Sequence, residues 1–286
     1  LPRLDDRGQA DLWKGKSMAG EYTQVIVLTG ASGGIGQALA REFAGPGTYL
    51  ALIARDEARL APVMDAIRAR GAEGETAAID IRDRESLHSY LSDLDARHPV
   101  DLVIANAGVT AGLGPNRTRE SDADSDRQIE VNYRGVVNTV AGVVDFLQKR
   151  GRGQVVLISS LAGMRALPDM PSYSATKAAI IAYGHSLRGW LKPFGVSVTI
   201  ICPGFVTTPM SARHKGAKPF EMPAEKAAGL MRRAIERRKA FYAFPFLLAL
   251  GIRLQNLLPP RIGDLFLGGF EAEIEQDPRY RETADK

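Results

Sequence analysis

The sequence predicts an α/β fold: one doubly wound domain on a seven-stranded parallel sheet, helices on both faces, and a helical C-terminal extension. Three observations carry this. Short, near-continuous apolar runs recur along the chain, and longer stretches with apolar residues at helical spacing lie between them. Strands of that kind are buried on both faces, as in a parallel sheet covered on both sides. The third is size and composition: 286 residues, 45% hydrophobic and 24% charged, can bury one large core.

Taken in order, the strand candidates are VIVLTG (25–30), TYLALIA (48–54), ETAAID (75–80) and DLVIANAG (101–108). QVVLISS (154–160), VSVTIICPG (196–204) and KAFYAF (239–244) complete the seven. Helical segments such as IGQALAREFA and EARLAPVMDAIRARG separate them, and no internal repeat or low-complexity linker intervenes. This gives a catalytic-size domain at 23–244 and an extension at 245–286. Residues 1–22 begin with Leu1, mix charges and have no apolar core. They read as a leader, either artificial or unstructured, with Met18 as a candidate start.

Several function classes drop out. A net charge of +4 is too small to argue for nucleic acid. The single cysteine, Cys202, excludes an intrachain disulfide and argues against a cysteine-based metal site; no other metal-ligating set is read. It lies in an apolar run, where a buried structural thiol is the simpler reading. With no 18-residue uncharged apolar stretch, a spanning helix is not expected, and the chain reads as cytoplasmic.

The loop between the first strand and its helix reads TGASGGIG. Gly30, Gly34 and Gly36 allow a tight turn and close backbone approach, and the following helix N-terminus suits a pyrophosphate. The spacing departs from G-x-G-x-x-G. As Thr-Gly-x-x-x-Gly-x-Gly it resembles the short-chain dehydrogenase/reductase family, and other matches follow in the family's order. Asp80-Ile81 follows the third strand. ANAG (105–108) is similar to the family's Asn-Asn-Ala-Gly, with Ala105 in place of the first asparagine. Asn132 lies in VNYRG, Ser160 stands thirteen residues before Tyr173, Lys177 follows Tyr173 by four, and PGFVTT (203–208) follows the sixth strand. The resemblance covers residues 24–244 and implies a Rossmann-type domain.

It also implies a catalytic set of Asn132, Ser160, Tyr173 and Lys177. Tyr173 and Lys177, four apart in an alanine-rich helix, leave the same face. Tyr173 would be the acid/base, its phenol eased toward ionisation by the Lys177 ammonium. Ser160 would hold the substrate oxygen, and Asn132 would kink its helix and hold a water. Each residue alone has a plainer reading, as a strand-end cap, a helix polar residue or a solvated lysine; their order and spacing together argue for function. Cofactor contacts implied are Gly30, Ser32, Gly34, Ile35 and Gly36 in the loop, then Arg55, Asp80 and Ile81. Asn106, Ala107, Gly108, Tyr173 and Lys177 follow, with Pro203, Gly204, Val206 and Thr208 after the sixth strand. At the end of the second strand, where NAD enzymes place an acid, stand Ala54 and Arg55. Arginine suits a 2′-phosphate, so NADP(H) is favoured over NAD(H), with Asp56 as the competing ribose ligand.

Met164, Leu167, Met170, Phe205 and Met210 flank the catalytic motifs and are the candidate substrate-pocket residues. The expected activity interconverts a ketone and a secondary alcohol on an apolar, lipid-, steroid- or polyketide-like small molecule. A non-catalytic nucleotide-sensing protein and an NAD-dependent alcohol dehydrogenase are the alternatives. The family commonly pairs two long helices, here 122–150 and 171–192, so a homodimer or homotetramer is expected. Gly135, Gly142, Ala178, Ala182 and Gly184 would permit close approach there. The segment 245–270 is apolar nearly all round from Phe246 to Leu258, and must be covered by something. It reads as a lid or subunit contact, or as a peripheral membrane contact, as in the family's hydroxysteroid dehydrogenases.

Overall fold

The computed structural model describes residues 22–259, 261–262 and 272–280. Residues 1–21 of the leader expected at 1–22, part of the segment 245–270, and the chain end lie outside the described residues.

Seven parallel strands form one sheet. They are β1 (Gln24–Thr29), β2 (Thr48–Ala54), β3 (Glu73–Ala78), β4 (Leu102–Ala105), β5 (Gly153–Ile158), β6 (Val196–Pro203) and, after a short pair described below, β9 (Phe241–Phe244). Their order is β3-β2-β1-β4-β5-β6-β9. The chain reverses direction across the sheet between β1 and β4, the switch point at which doubly wound sheets open a crevice above their strand ends. Alternation does the packing. Ile26 and Leu28 of β1 and Leu50 and Leu52 of β2 feed one core, while Val25 and Val27, Tyr49, Ala51 and Ile53 feed the other. The first core is covered by α1 (Gly34–Phe43), α2 (Ala61–Arg68) and α8 (Ala224–Glu236). The second is covered by α3 (Arg84–Arg97), α5 (Gly135–Arg150) and α6 (Pro171–Leu191).

The long helix expected at 122–150 carries the kink expected at Asn132. The helix α4 (Asp122–Ile129) passes into a π turn over Glu130–Arg134, centred on Asn132, before α5 begins. The small residues expected to face a partner divide. A Cβ on Gly135 would strike Ile81, one on Gly142 would strike Leu91, and one on Gly184 would strike Ile200. Those three glycines serve contacts within the chain, and only Ala178 and Ala182 remain exposed.

After β6 a short parallel pair, β7 (Val206–Thr207) and β8 (Met222–Pro223), brackets α7 (Pro209–Ala212). The extension then folds back on the body. In α9 (Phe246–Gln255), Ala249, Leu248 and Ile252 pack with Leu161, Ile200 and Cys202. Residues 272–280 return to pair with the segment after α7, through a bridge between His214 and Ile274.

Candidate active site

Two cavities meet above the strand ends. The first is a cleft of about 610 Å³ over the β1–α1 loop, reaching from Arg55 and Asp80 to Ser160, Tyr173 and Lys177. The second, about 870 Å³, is walled by Leu167, Met170, Phe205, Met210 and one side of α9. Ile35, Ser160, Tyr173, Gly204, Thr208 and Met210 border both.

The floor of the cleft is cut to backbone dimensions. Gly30 has φ +67°, and a Cβ on Gly36 would lie 2.1 Å from the Gly30 carbonyl oxygen, so the loop can fold this tightly only without side chains. No side chain caps α1, whose first turn therefore faces the cleft with the N–H polarity that suits an anion. Asn106 locks this loop to the end of β4. Its Nδ2 donates to the carbonyls of Thr29 (3.1 Å) and Gly30 (3.3 Å), while Thr29 Oγ1 accepts from the Asn106 and Ala107 N–H groups. Ala105 is buried in β4 itself.

Tyr173 and Lys177 stand one turn apart on α6, against the end of β5. Lys177 is 4% exposed; its Nζ donates to the Ile158 carbonyl (3.1 Å) and lies 5.7 Å from the centre of the Tyr173 ring. Burial lowers its pKa to about 8. Burial also raises the Tyr173 phenol above its ordinary value, and a hydrogen bond with the Ser160 hydroxyl opposes that rise. Tyr173 is only partly covered, and it opens onto the cleft. The turn after β5 is held to α6 by Ser159, whose hydroxyl donates to the Lys177 carbonyl at 2.7 Å. Cys202 is buried nearby, its thiol pushed up to about 12 by burial, as expected of a structural cysteine.

At the far end, Arg55, Asp56 and Arg59 border the cleft. Arg59 donates to the Ser32 carbonyl (3.2 Å). Asp80 is gripped by Arg82 through Nε and Nη2. Burial alone would raise the Asp80 carboxyl, but the Arg82 hydrogen bonds hold it below the usual range.

The structure brings most of the expected residues together, with three exceptions. Asn132 is wholly buried and borders neither cavity: Oδ1 accepts from Val109 N–H (2.8 Å), and Nδ2 donates to the Val109 carbonyl (3.0 Å) and Thr176 Oγ1 (3.1 Å). Val206 borders the apolar cavity rather than the cleft, because its pairing with Met222 turns it into the core. Met164 borders neither cavity; it packs in the cluster of α9, and its carbonyl accepts from Asn256 Nδ2 (2.9 Å). Sequence reasoning missed Arg59, which borders the cleft beside Arg55, and Tyr280, which enters the cleft wall from the far end of the chain. No local pattern marks Tyr280.

The chain matches the short chain dehydrogenase family over residues 24–218. An uncharacterized oxidoreductase of Myxococcus xanthus is 34% identical over 248 residues, covering 86% of this chain and 97% of that protein. One from Mycobacterium tuberculosis is 33% identical, covering 86% and 98%. Among solved structures, a short-chain dehydrogenase/reductase of Burkholderia phymatum in complex with NAD is 27% identical with a TM-score of 0.73, covering 82% of this chain and 93% of its own.

Proposed function

The chain belongs to the short-chain dehydrogenase/reductase family, and from that premise we propose that it uses NADP(H) to interconvert a ketone and a secondary alcohol on an apolar substrate. An NAD(P)-dependent oxidoreductase acting on a CH–OH group is what the family gives. The finer reading rests on one observation: Ser160 and Tyr173 border both cavities, so one pair of hydroxyls serves dinucleotide cleft and apolar chamber alike.

The glycine cradle, the uncapped helix and the basic far end suit a dinucleotide. When bound, the nicotinamide supplies or accepts the hydride. This chain's own residues would do the rest. The Tyr173 hydroxyl gives a proton to the carbonyl oxygen in reduction and takes one from the alcohol in oxidation. Ser160, hydrogen-bonded to Tyr173, donates to the same substrate oxygen and steadies the charge that develops there. The Lys177 ammonium, beneath the Tyr173 ring, favours phenolate and makes proton exchange faster near neutral pH. Asn132 acts at one remove, fixing the Val109 loop against Thr176 of α6.

The preference for NADP(H) draws on Ala54 at the strand end and on two guanidinium groups, Arg55 and Arg59, beside the cleft. The apolar walls of the second cavity support a lipid-, steroid- or polyketide-like substrate. The experiment is a panel of apolar ketones and alcohols scored by NADPH consumption or NADP⁺ reduction, with NAD(H) in parallel. Faster turnover with NAD(H), or turnover confined to small polar substrates, would overturn the finer reading.

A further inference from the structure

Residues 272–280 belong to no strand of the sheet, yet they are tied down along their length. The Ala272 N–H donates to Asp169 Oδ2 (3.0 Å), and Asp169 is buried. The Lys215 N–H donates to the Glu273 carbonyl, and the Glu275 N–H to the Arg213 carbonyl, both at 2.9 Å. Arg213, 8% exposed, pairs with Asp277 at 3.4 Å. Its guanidinium also donates to the Thr110 carbonyl (3.4 Å). A short turn, Pro278–Tyr280, then ends the segment at the adenosine end of the cleft.

One segment therefore borders both cavities, with Ile274 in the wall of the apolar chamber and Tyr280 in the wall of the cleft. The Tyr280 ring packs against the core on the α3, α5 and α6 side of the sheet, and two guanidinium groups lie against it: Arg127 at 4.1 Å and Arg55 at 5.2 Å from its centre. Arg127 is already ion-paired with Asp124. Arg55 is the residue at the end of β2, exposed and on a long flexible stem. Such a side chain loses rotamer freedom when it grips a ligand, and a stacked ring removes part of that loss beforehand.

We propose that Tyr280 is a positioning residue for cofactor recognition: its ring holds the Arg55 guanidinium at the cleft, and so the C-terminal segment helps discriminate the 2′-phosphate of NADP(H). The inference rests on the nicotinamide-dinucleotide reading above. A ring that acts through Arg55 affects NADPH much more than NADH. A ring that merely walls the adenine pocket affects both alike.

The test is calorimetric or fluorescence titration of NADPH and NADH into the full chain and into Tyr280→Leu, Tyr280→Phe, Arg55→Ala and the Arg55→Ala/Tyr280→Leu pair, with a melting curve for each. Tyr280→Leu is expected to weaken NADPH about 3- to 10-fold, the range of a cation–π contact, and NADH less than about twofold. Tyr280→Phe keeps the ring and should restore NADPH binding. In the Arg55→Ala background Tyr280→Leu should cost nothing further, since the two act as one unit. Equal losses for both dinucleotides, or no loss, overturn the proposal. Tighter binding by Tyr280→Leu also overturns it, because the ring would then be occupying the adenine seat. If the unaltered chain binds neither dinucleotide, the reading of the cleft falls first; if it binds NADPH and Tyr280→Leu matches it, only the role of Tyr280 falls.

Discussion

Lys177 Nζ lies 5.7 Å from the centre of the Tyr173 ring while donating to the Ile158 carbonyl, so a buried ammonium is held under a phenol. That geometry separates the roles of the two residues. Tyr173→Phe removes the exchangeable proton and leaves the ring in place. Turnover should fall by about 100-fold or more, the usual share of a general acid/base, with NADPH affinity nearly unchanged. Near-normal kcat in this variant would sink the assignment.

Lys177 offers a sharper test, because its burial has a stability cost. Its folded pKa of about 8 is below its ordinary value, so between the two the unfolded chain binds more protons and stability rises with pH. Below pH 8 the charge is carried in both states and the penalty is complete. A depression of this size amounts to about 3 kcal/mol, against roughly 1 kcal/mol for the lost bond to Ile158. Lys177→Met should therefore be more stable than the parent at pH 7, by about 2 kcal/mol. The gain should shrink as pH rises from 8 toward 10, while turnover and cofactor affinity both drop. Urea unfolding at pH 7 and pH 9.5 checks the sign; a variant less stable at pH 7 contradicts it.

The fold was legible in these residues for a physical reason. β2 is buried at every position and reads as an unbroken apolar run, and its bounds match expectation. β3 is the edge strand, paired only with β2, and carries Glu73 and Glu75. The expected range, 75–80, therefore starts two residues late. The grouping of Ser160, Tyr173 and Lys177 at one cleft was legible because a fixed spacing on one helix and one strand end travels with the fold. Met164 and Val206 were not, since whether a side chain faces a cavity or a core depends on the partner across it: α9 for one and Met222 for the other. Gly135, Gly142 and Gly184 show the same limit, because a small residue looks alike whether it admits another chain or this chain's own Ile81, Leu91 and Ile200.

Cofactor choice is the next test. Arg55→Ala should weaken NADPH by about 10- to 150-fold, the worth of a charge-assisted contact of about 1.5–3 kcal/mol, and leave NADH nearly untouched. Asp56→Ala serves as the counter-test, since Asp56 also borders the cleft. Loss of NADH binding in Asp56→Ala would move the ribose contact to that carboxylate and reverse the preference.

Assembly should follow the exposed faces of α4–α6. Ala178 and Ala182 stay exposed there, with Tyr133 at 38% and Trp190 at 52%. Light scattering at micromolar concentration is expected to give a dimer or tetramer. Ala182→Arg, placing a long cation on that face, should shift the mass toward the monomer without changing the melting of the protomer. An unchanged mass would move the interface elsewhere.

The last test concerns α9, whose two sides face different surroundings. Leu248, Ala249 and Ile252 pack onto the body, while Leu247, Leu254 and, just past the helix end, Leu257 border the apolar cavity and are also largely exposed. Phe246 is 71% exposed and Leu257 80%. A run of large apolar side chains at a cavity mouth is the arrangement of a lid or a docking face. No helix among the described residues is long and apolar enough to cross a membrane. As a lid, Leu254→Ser with Leu257→Ser should raise KM for long apolar ketones several-fold, by removing about 2 kcal/mol or less of apolar contact per side chain. The value of kcat on a short ketone should hold. If both parameters fall together on every substrate, α9 supports the fold instead. The outer face is read separately by co-sedimentation with anionic vesicles. Pelleting at low salt that is lost at high salt identifies a bilayer contact helped by Arg253 and the basic run at 232–239. Protein left in the supernatant at both salts assigns that face to the lid or to a second copy of the chain.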